Sequence, residues 1–235
     1  MEENQLIQVF KERTDQTLPA WLSELPVQVL DCDQRPNDWH LVIGRDQLEL
    51  AHPQQPTMQL STQSVTRRLK QKEATELIKA CSASRGQRIL DGFGGWGVDG
   101  LTMALNGADV TICEINPLVH GLQLDLSRRL NFPAHHRHSD VRELLQSVDV
   151  SFDIVYLDPM FPAHPTGAKS RRELEVLSQL SGESSTLEVF ELAMDVATSR
   201  VVVKQRRKDS TVELPKASWS ITGKTIRFDV YQRKN

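Results

Sequence analysis

The stretch Ile89-Leu90-Asp91-Gly92-Phe93-Gly94-Gly95-Trp96-Gly97-Val98-Asp99-Gly100, "ILDGFGGWGVDG", decides the fold. Its first residues complete "GQRILD", a short apolar run that ends in a carboxylate and reads as a strand. Glycines at 92, 94, 95 and 97 follow, and from Val98 to Asn106 the spacing is helical. Strand, tight glycine turn and helix in that order open a βαβ unit, whose turn lets the backbone approach a ligand closely.

The same alternation continues downstream. "ADVTICE" reads as the next strand. "NPLVHGLQLDLSRRLN" reads as a helix with Asn116 as N-cap and Pro117 as its first residue. "PAHHRHS" is a third short strand, "DVRELLQSV" a helix, "FDIVYLD" a buried strand, 171–197 helical with a break at Gly182, and "SRVVVKQ" a further strand. Strand and helix alternating from Arg88 to Lys204 predict a parallel α/β sheet. "SWSITGKTIRFDVYQ" closes the chain as a hairpin turning at Gly223-Lys224, which predicts an antiparallel edge.

Upstream, "LPVQVLD" and "WHLVIGRDQLELA" read as short strands separated by the turn-forming "CDQRPND", and "HPQQPTMQ" reads as a linker. Val65, Leu69, Leu77, Ile78 and Cys81 share a face and predict a helix over Ser64–Cys81. The expected organisation is a small α+β appendage over residues 1–60 and a main domain over 61–235.

The chain has 235 residues, 39% of them hydrophobic, and a formal net charge of -3. It is not a bulk polycation, so any nucleic-acid contact must come from local basic patches. Cys32, Cys81 and Cys113 have no paired spacing and read as reduced thiols of a cytoplasmic protein. There is no run of about 18 apolar residues, and the acidic, mixed N-terminus does not read as a signal peptide.

Gly92, Gly94 and Gly97 match G-x-G-x-x-G, which fits three readings: a pyrophosphate cradle, a loop curling around the amino-acid part of S-adenosylmethionine, or a structural turn. Asp91, directly before the glycines, would repel a pyrophosphate but can accept from an ammonium group. Glu114, at the end of the next strand, can hold both ribose hydroxyls in either cofactor. Ser139 or Asp140 can receive an adenine amine, and either can equally cap the helix that follows.

The strand "FDIVYLD" delivers Asp158 to the carboxyl edge of the sheet, where open α/β sheets bind ligands. Pro159 fixes the backbone and has no N–H, leaving the Asp158 carboxylate and nearby carbonyls as acceptors. Phe161 supplies a flat face for stacking. Acceptors beside an aromatic face suit a planar base with an exocyclic amine.

"YLDPMFP" resembles the D/N-P-P-Y signature of amino-directed methyltransferases, with Met160 and Phe161 replacing the second proline and the tyrosine. With "LDGFGGWGVDGLTMA", "CEINP", "SRVVVKQ" and "GKTIRFDVY", the chain resembles the ribosomal RNA small subunit methyltransferase J family over most of Ile89–Tyr231. The resemblance implies a class I methyltransferase fold with a mainly parallel seven-stranded, doubly wound sheet. It implies transfer of methyl from S-adenosylmethionine to the N2 amine of a guanine in 16S ribosomal RNA, with the small ribosomal subunit as partner. Family cofactor positions carry over onto Val98, Asp99, Glu114, Ile115, Ser139, Asp140 and Asp158; Gly95 belongs to the same loop. The chain departs from the family at Val98 and Ile115, where arginine is usual, and "STQSVTRRLKQKEA" stands where a glycine-rich run is usual. An NAD-dependent oxidoreductase and a non-catalytic RNA-binding protein are the alternative functions.

Lys169, Arg171 and Arg172 follow the Asp158 loop, and Lys204, Arg206, Arg207 and Lys208 follow the fifth strand. Both clusters leave the sheet on the Asp158 edge and are expected to grip RNA phosphates. Arg67, Arg68, Lys70 and Lys72 form a third cluster before the core, which reads best as solvated surface. His135, His136 and His138 lack companion ligands, and no metal site is expected.

Overall fold

The computed structural model describes residues 6–132, 134–147, 151–159, 168–181, 185–208 and 213–233. Five short strands come first: β1 Ile7–Phe10, β2 Val27–Leu30, β3 His40–Ile43, β4 Leu48–His52 and β5 Gln55–Met58, in spatial order β2-β1-β3-β4-β5. β1 lies parallel to β2 and β3, and β3, β4 and β5 form an antiparallel meander. The expected linker "HPQQPTMQ" is therefore the end of β4, a turn and β5. Pro56 is tolerated because β5 is an edge strand, where a missing N–H breaks no ladder. Only 3₁₀ turns, at Ala20–Glu24 and Cys32–Gln34, interrupt the strands; no α-helix occurs among the described residues up to 60.

The predicted helix over Ser64–Cys81 is two helices, α1 Thr62–Arg68 and α2 Lys72–Ala80. Gln71, with ψ 148°, is extended and caps the second. The apolar spacing survives the break because Val65 and Leu77 enter the same core from separate helices.

From there the alternation holds: β6 Arg88–Asp91, α3 Val98–Leu105, β7 Asp109–Glu114, α4 Pro117–Leu130, β8 His135–His138, α5 Val141–Gln146, β9 Ile154–Leu157, α6 Ala168–Leu180, α7 Thr186–Val196, β10 Arg200–Arg206, β11 Trp219–Thr222 and β12 Ile226–Gln232. They build a seven-stranded sheet in the order β11-β12-β10-β9-β6-β7-β8. β12 alone runs against the rest, so the closing hairpin brings the expected antiparallel pairing to this edge of the sheet, with β12 inside, between β10 and β11. Burial explains the order. β12 pairs with β10 over seven residues and buries Phe228, Val230 and Tyr231, whereas four-residue β11 is largely exposed and takes the edge.

Strand side chains alternate between faces, and both faces are covered. On one face Ile89, Ile154, Tyr156, Val202 and Phe228 pack with α3 and α4 and continue without interruption into Ile7, Val9, Leu41 and Leu50 of the first sheet. On the other, Leu90, Val155, Leu157, Val201 and Val203 pack against Val141, Leu145, Val189 and Phe190. Burial on both sides is why these strands read as continuous apolar runs. The first sheet closes on α4 tightly: a Cβ at Gly121 would lie 2.7 Å from Leu41 Cδ1 and 3.0 Å from Ile7 Cγ2. The chain order reverses between β6 and β9, so the crevice beyond their carboxyl ends is the switch point where open sheets bind ligands.

Candidate active site

Parallel register assembles the site. Asp91 ends β6 opposite Tyr156, and Leu157 pairs with Val203, so the next residues out, Asp158 and Lys204, emerge side by side. Lys204 Nζ donates to Asp158 Oδ2 at 2.7 Å and to Asp99 Oδ2 at 2.9 Å. Tyr156 Oη donates to the same Asp99 oxygen at 2.8 Å, and Arg68 Nη2 donates to Asp99 Oδ1 at 2.7 Å. Arg68 Nη1 also pairs with Glu73 Oε1 at 2.8 Å. One ionic chain thus runs from α2 through α1 and α3 to the tips of β10 and β9.

Burial sets the charges of this chain. It alone would raise Asp99, but the Lys204 ammonium and the Arg68 guanidinium overcome it and hold the carboxyl well below the usual range. Burial likewise lifts Asp158, and Lys204 pulls against it; the balance stays above the ordinary value. Burial would lower Lys204, but Asp158 and Asp99 keep it firmly protonated.

The glycine loop folds as its sequence demands. Gly97, at φ 75°, is the left-handed residue from which α3 starts. Gly94 lies where backbone, strand and helix converge: a Cβ there would meet Ile112 Cγ2 at 2.6 Å, Gln123 Nε2 at 2.8 Å and the Cys113 carbonyl at 2.9 Å. Glu114 pins the loop, with Oε2 accepting from Gly95 N–H at 2.9 Å and Oε1 from Asn116 N–H at 2.8 Å. Burial raises Glu114, and the amides of Asn116, Gly95 and Ile115 oppose the rise. A carboxylate has about four lone-pair sites, so acceptor capacity is left for a ribose hydroxyl.

The donor set fits S-adenosylmethionine. Asp91 is 2% exposed, and its Oδ1 is buried without a hydrogen-bond partner. Burial, Asp99 and Asp158 raise its pKa well above the carboxylate norm. A buried acceptor of that kind is completed by a cation such as an α-ammonium group. Ile115, 44% exposed beside Glu114, offers an apolar surface to a flat ring. Asp140 caps α5 by accepting from Arg142 N–H at 2.8 Å and also holds the Arg142 guanidinium, which draws its pKa down. Ser139 Oγ donates to the Asp140 carbonyl at 3.1 Å. The helix-cap reading of this pair is thus the one its contacts display.

Among the predicted site residues, Asp91, Gly92, Gly94, Gly95, Gly97, Val98, Asp99, Glu114, Ile115, Asp158 and buried Pro159 gather at the carboxyl edge. Asp99 is a hub with both oxygens occupied by protein donors. Lys204, 13% exposed, is locked between two acids and does not reach outward as the phosphate contact its cluster suggested. Arg172 donates to the Pro56 carbonyl, tying α6 to β5. Arg207 is exposed and lines a groove of about 530 Å³ with Lys72, Glu73, Glu76 and Lys224. Phe161 lies outside the described residues, as do the side chains of Lys169 and Arg171. Sequence reasoning left out Tyr156 and took Arg68 for solvated surface. The signal for Tyr156 was a phenol inside an apolar strand, which must find a partner when buried. No group of three or more His, Cys, Asp or Glu suited to a metal occurs among the described residues.

Comparison with known proteins agrees with this geometry. Residues 27–233 match the family model described as "Putative SAM-dependent methyltransferase". A ribosomal RNA small subunit methyltransferase J of Legionella pneumophila is 37% identical over 170 residues, covering 66% of this chain and 67% of that one. Its namesake in Chromohalobacter salexigens is 30% identical over 68% of both chains. Among solved structures, a SAM-dependent methyltransferase of Neisseria gonorrhoeae superposes with a TM-score of 0.73 at 24% identity over 96% of both chains. A Thermus thermophilus 16S rRNA N2 G1207 methyltransferase, solved with AdoMet and guanosine, shares the fold at a TM-score of 0.51 and 14% identity, over 89% of this chain and 54% of that one. The glycine loop's choice between dinucleotide and S-adenosylmethionine is thereby decided for the latter. The chain belongs to the ribosomal RNA small subunit methyltransferase J family of S-adenosylmethionine-dependent methyltransferases.

Proposed function

We propose that the protein methylates the exocyclic N2 amine of a guanine in small-subunit (16S) ribosomal RNA. The observation that carries this reading is the Asp158 carboxylate. It emerges one strand away from the β6 glycine loop, its Oδ2 is held by Lys204, and its Oδ1 has no partner among the described residues. The names of the relatives supply the RNA.

Bound S-adenosylmethionine supplies an electrophilic methyl on a sulfonium. The chain's task is to seat that group and aim a nucleophile at it. Asp91 takes the cofactor's ammonium, Glu114 its ribose, and Ser139 with Asp140 the region of its adenine. The target base is turned out of its stack to enter the crevice. Asp158 Oδ1 and the Pro159 carbonyl accept from the amine, orienting the nitrogen towards the methyl, and stacking on the ring is assigned to Phe161 from its sequence position alone. Positive charge is lost at sulfur as the methyl moves, so little new charge needs stabilising, and alignment supplies most of the acceleration. The amine sheds its proton after attack.

Exposed Arg207, with Lys72 and Lys224 in the neighbouring groove, suits phosphate contacts, and Lys169, Arg171 and Arg206 join that proposal by their sequence position. A cytoplasmic location and a division near residue 60 between appendage and methyltransferase unit belong to the same reading. The test is Asp158→Ala. It should still fold, at a lowered melting temperature because Lys204 loses one of its two acids, and still bind S-adenosylhomocysteine, yet lose methylation of small-subunit RNA from cells lacking this protein. Substantial residual turnover would remove Asp158 from the mechanism.

A further inference from the structure

We propose that Lys204 selects guanine by donating a hydrogen bond to O6 of the target base. This inference rests on the guanine-N2 reading and extends it to how the base is chosen.

An ammonium carries three N–H donors. Lys204 spends one on Asp99 and one on Asp158, and no other acceptor engages it among the described residues. Asp158, 29% exposed against 13% for Lys204, keeps Oδ1 without a partner among the described residues. Taken in the order of their bonding, Oδ1, Oδ2 and Nζ run acceptor, acceptor and donor. The Watson–Crick edge of guanine is the complementary row: the N2 amine, N1–H and the O6 carbonyl. A carboxylate accepts such adjacent N–H groups bidentately.

Other bases fit worse. Adenine has an amine and a ring acceptor but nothing at C2. It can satisfy only Oδ2 and Nζ, which leaves Oδ1 empty and moves its amine one place along the row. Cytosine has the same defect, and uracil turns a carbonyl towards the carboxylate. Guanine alone fills all three places with its exocyclic amine on Oδ1. Because Lys204 is largely dry, a missing acceptor leaves a buried charge short of a partner, which is how sites built around a polar group reject analogues lacking it.

The test uses splint-ligated small-subunit RNA carrying guanine or 6-thioguanine at the nucleotide the protein methylates. It is presented free or in assembled subunits, whichever form the wild-type protein accepts. 6-Thioguanine keeps N1–H and the N2 amine and replaces O6 by sulfur, a weak acceptor. Wild type should prefer guanine in kcat/KM by on the order of tenfold. Lys204→Met should be slower on both RNAs, with the preference reduced to near unity. Lys204→Gln, which keeps a neutral donor, should fall between and leaves a ratio to read if Lys204→Met is silent. Loss of a merely structural role would slow both RNAs equally, so a wild-type ratio retained in these variants would overturn the inference. So would a wild-type protein indifferent to sulfur. No transfer to guanine by wild type would instead overturn the guanine-N2 reading, and this inference with it.

Discussion

Arg68→Met tests whether the acids at the sheet edge are held from outside the sheet. Arg68 and Asp99 are 14% and 10% exposed and meet at 2.7 Å. Burial alone would lower the guanidinium's pKa, but Asp99 and Glu73 reverse this and raise it. Removing one partner of a buried pair costs about 3–5 kcal/mol, because the other charge is left alone in a dry place. Asp99 would keep Lys204 and Tyr156, and Glu73 can turn towards water, so the loss belongs at the low end, about 3 kcal/mol. For a domain of this length that is a fall of about 6–12 °C in melting temperature. Urea unfolding should show a lower midpoint at unchanged slope, and a cycle with Asp99→Asn should return a coupling of about 1–3 kcal/mol. A loss under about 0.5 kcal/mol, the size of an ordinary surface change, would refute the argument and restore Arg68 to solvent.

Gly94→Ala should destabilise by about 1–3 kcal/mol and weaken S-adenosylhomocysteine binding, because its Cβ overlaps Ile112 and Cys113; wild-type calorimetry would show the loop has room. Glu114→Gln should lower affinity for S-adenosylhomocysteine several-fold while binding of free methionine stays as it was, and equal affinities would detach Glu114 from the ribose. Burial, with His136 and His138 alongside, pushes His120 down to about 3. The unfolded chain thus takes up that proton first, and stability should fall as pH drops below about 6.5, by about 1.4 kcal/mol per unit for this group. His120→Leu should flatten the slope in denaturant titrations, and an unaltered slope would place the acid sensitivity elsewhere. Asp158, raised by burial, regains its proton sooner than an ordinary carboxylate on acidification, so the acid limb of the pH–rate profile should lie above the usual carboxylate value. A limb at the ordinary value would contradict that environment.

The sheet from β6 to β10 was legible because its signals are local: apolar runs of strand length, a glycine turn, Asn116-Pro117 opening a helix. Asp91, Glu114 and Asp158 were legible for the same reason, as acids at the ends of such runs. The ionic chain was not. Its bonds join residues 31, 57 and 105 positions apart, and nothing near Arg68 in sequence distinguishes it from Arg67. Lys204 was legible as a cation at the catalytic edge but not as a buried one, because its burial comes from the neighbouring strand and from α3. β5 was hidden by Pro56, whose cost depends on being an edge strand, a tertiary fact. The order of β11 and β12 was hidden too, since a hairpin's sequence does not say which arm docks on β10.

The site's charge count connects these features. Asp91, Asp99 and Asp158 share one dry face with two cations, Arg68 and Lys204, and Arg68 is also shared with Glu73. Lys204 answers Asp158 and Asp99, and Arg68 answers Asp99, but among the described residues no cation touches Asp91, whose Oδ1 stays unpartnered. A carboxylate so placed is costly to ionise unless a positive ligand arrives beside it. The deficit thus lies at the strand tip proposed to take the cofactor's ammonium, and the cation Lys204 lies one strand over, on the acid proposed to orient the nucleophile. The two halves share the β6–β9 boundary, so a cation settling on Asp91 also changes the field felt at Asp158, which lies among the charges that already raise Asp91.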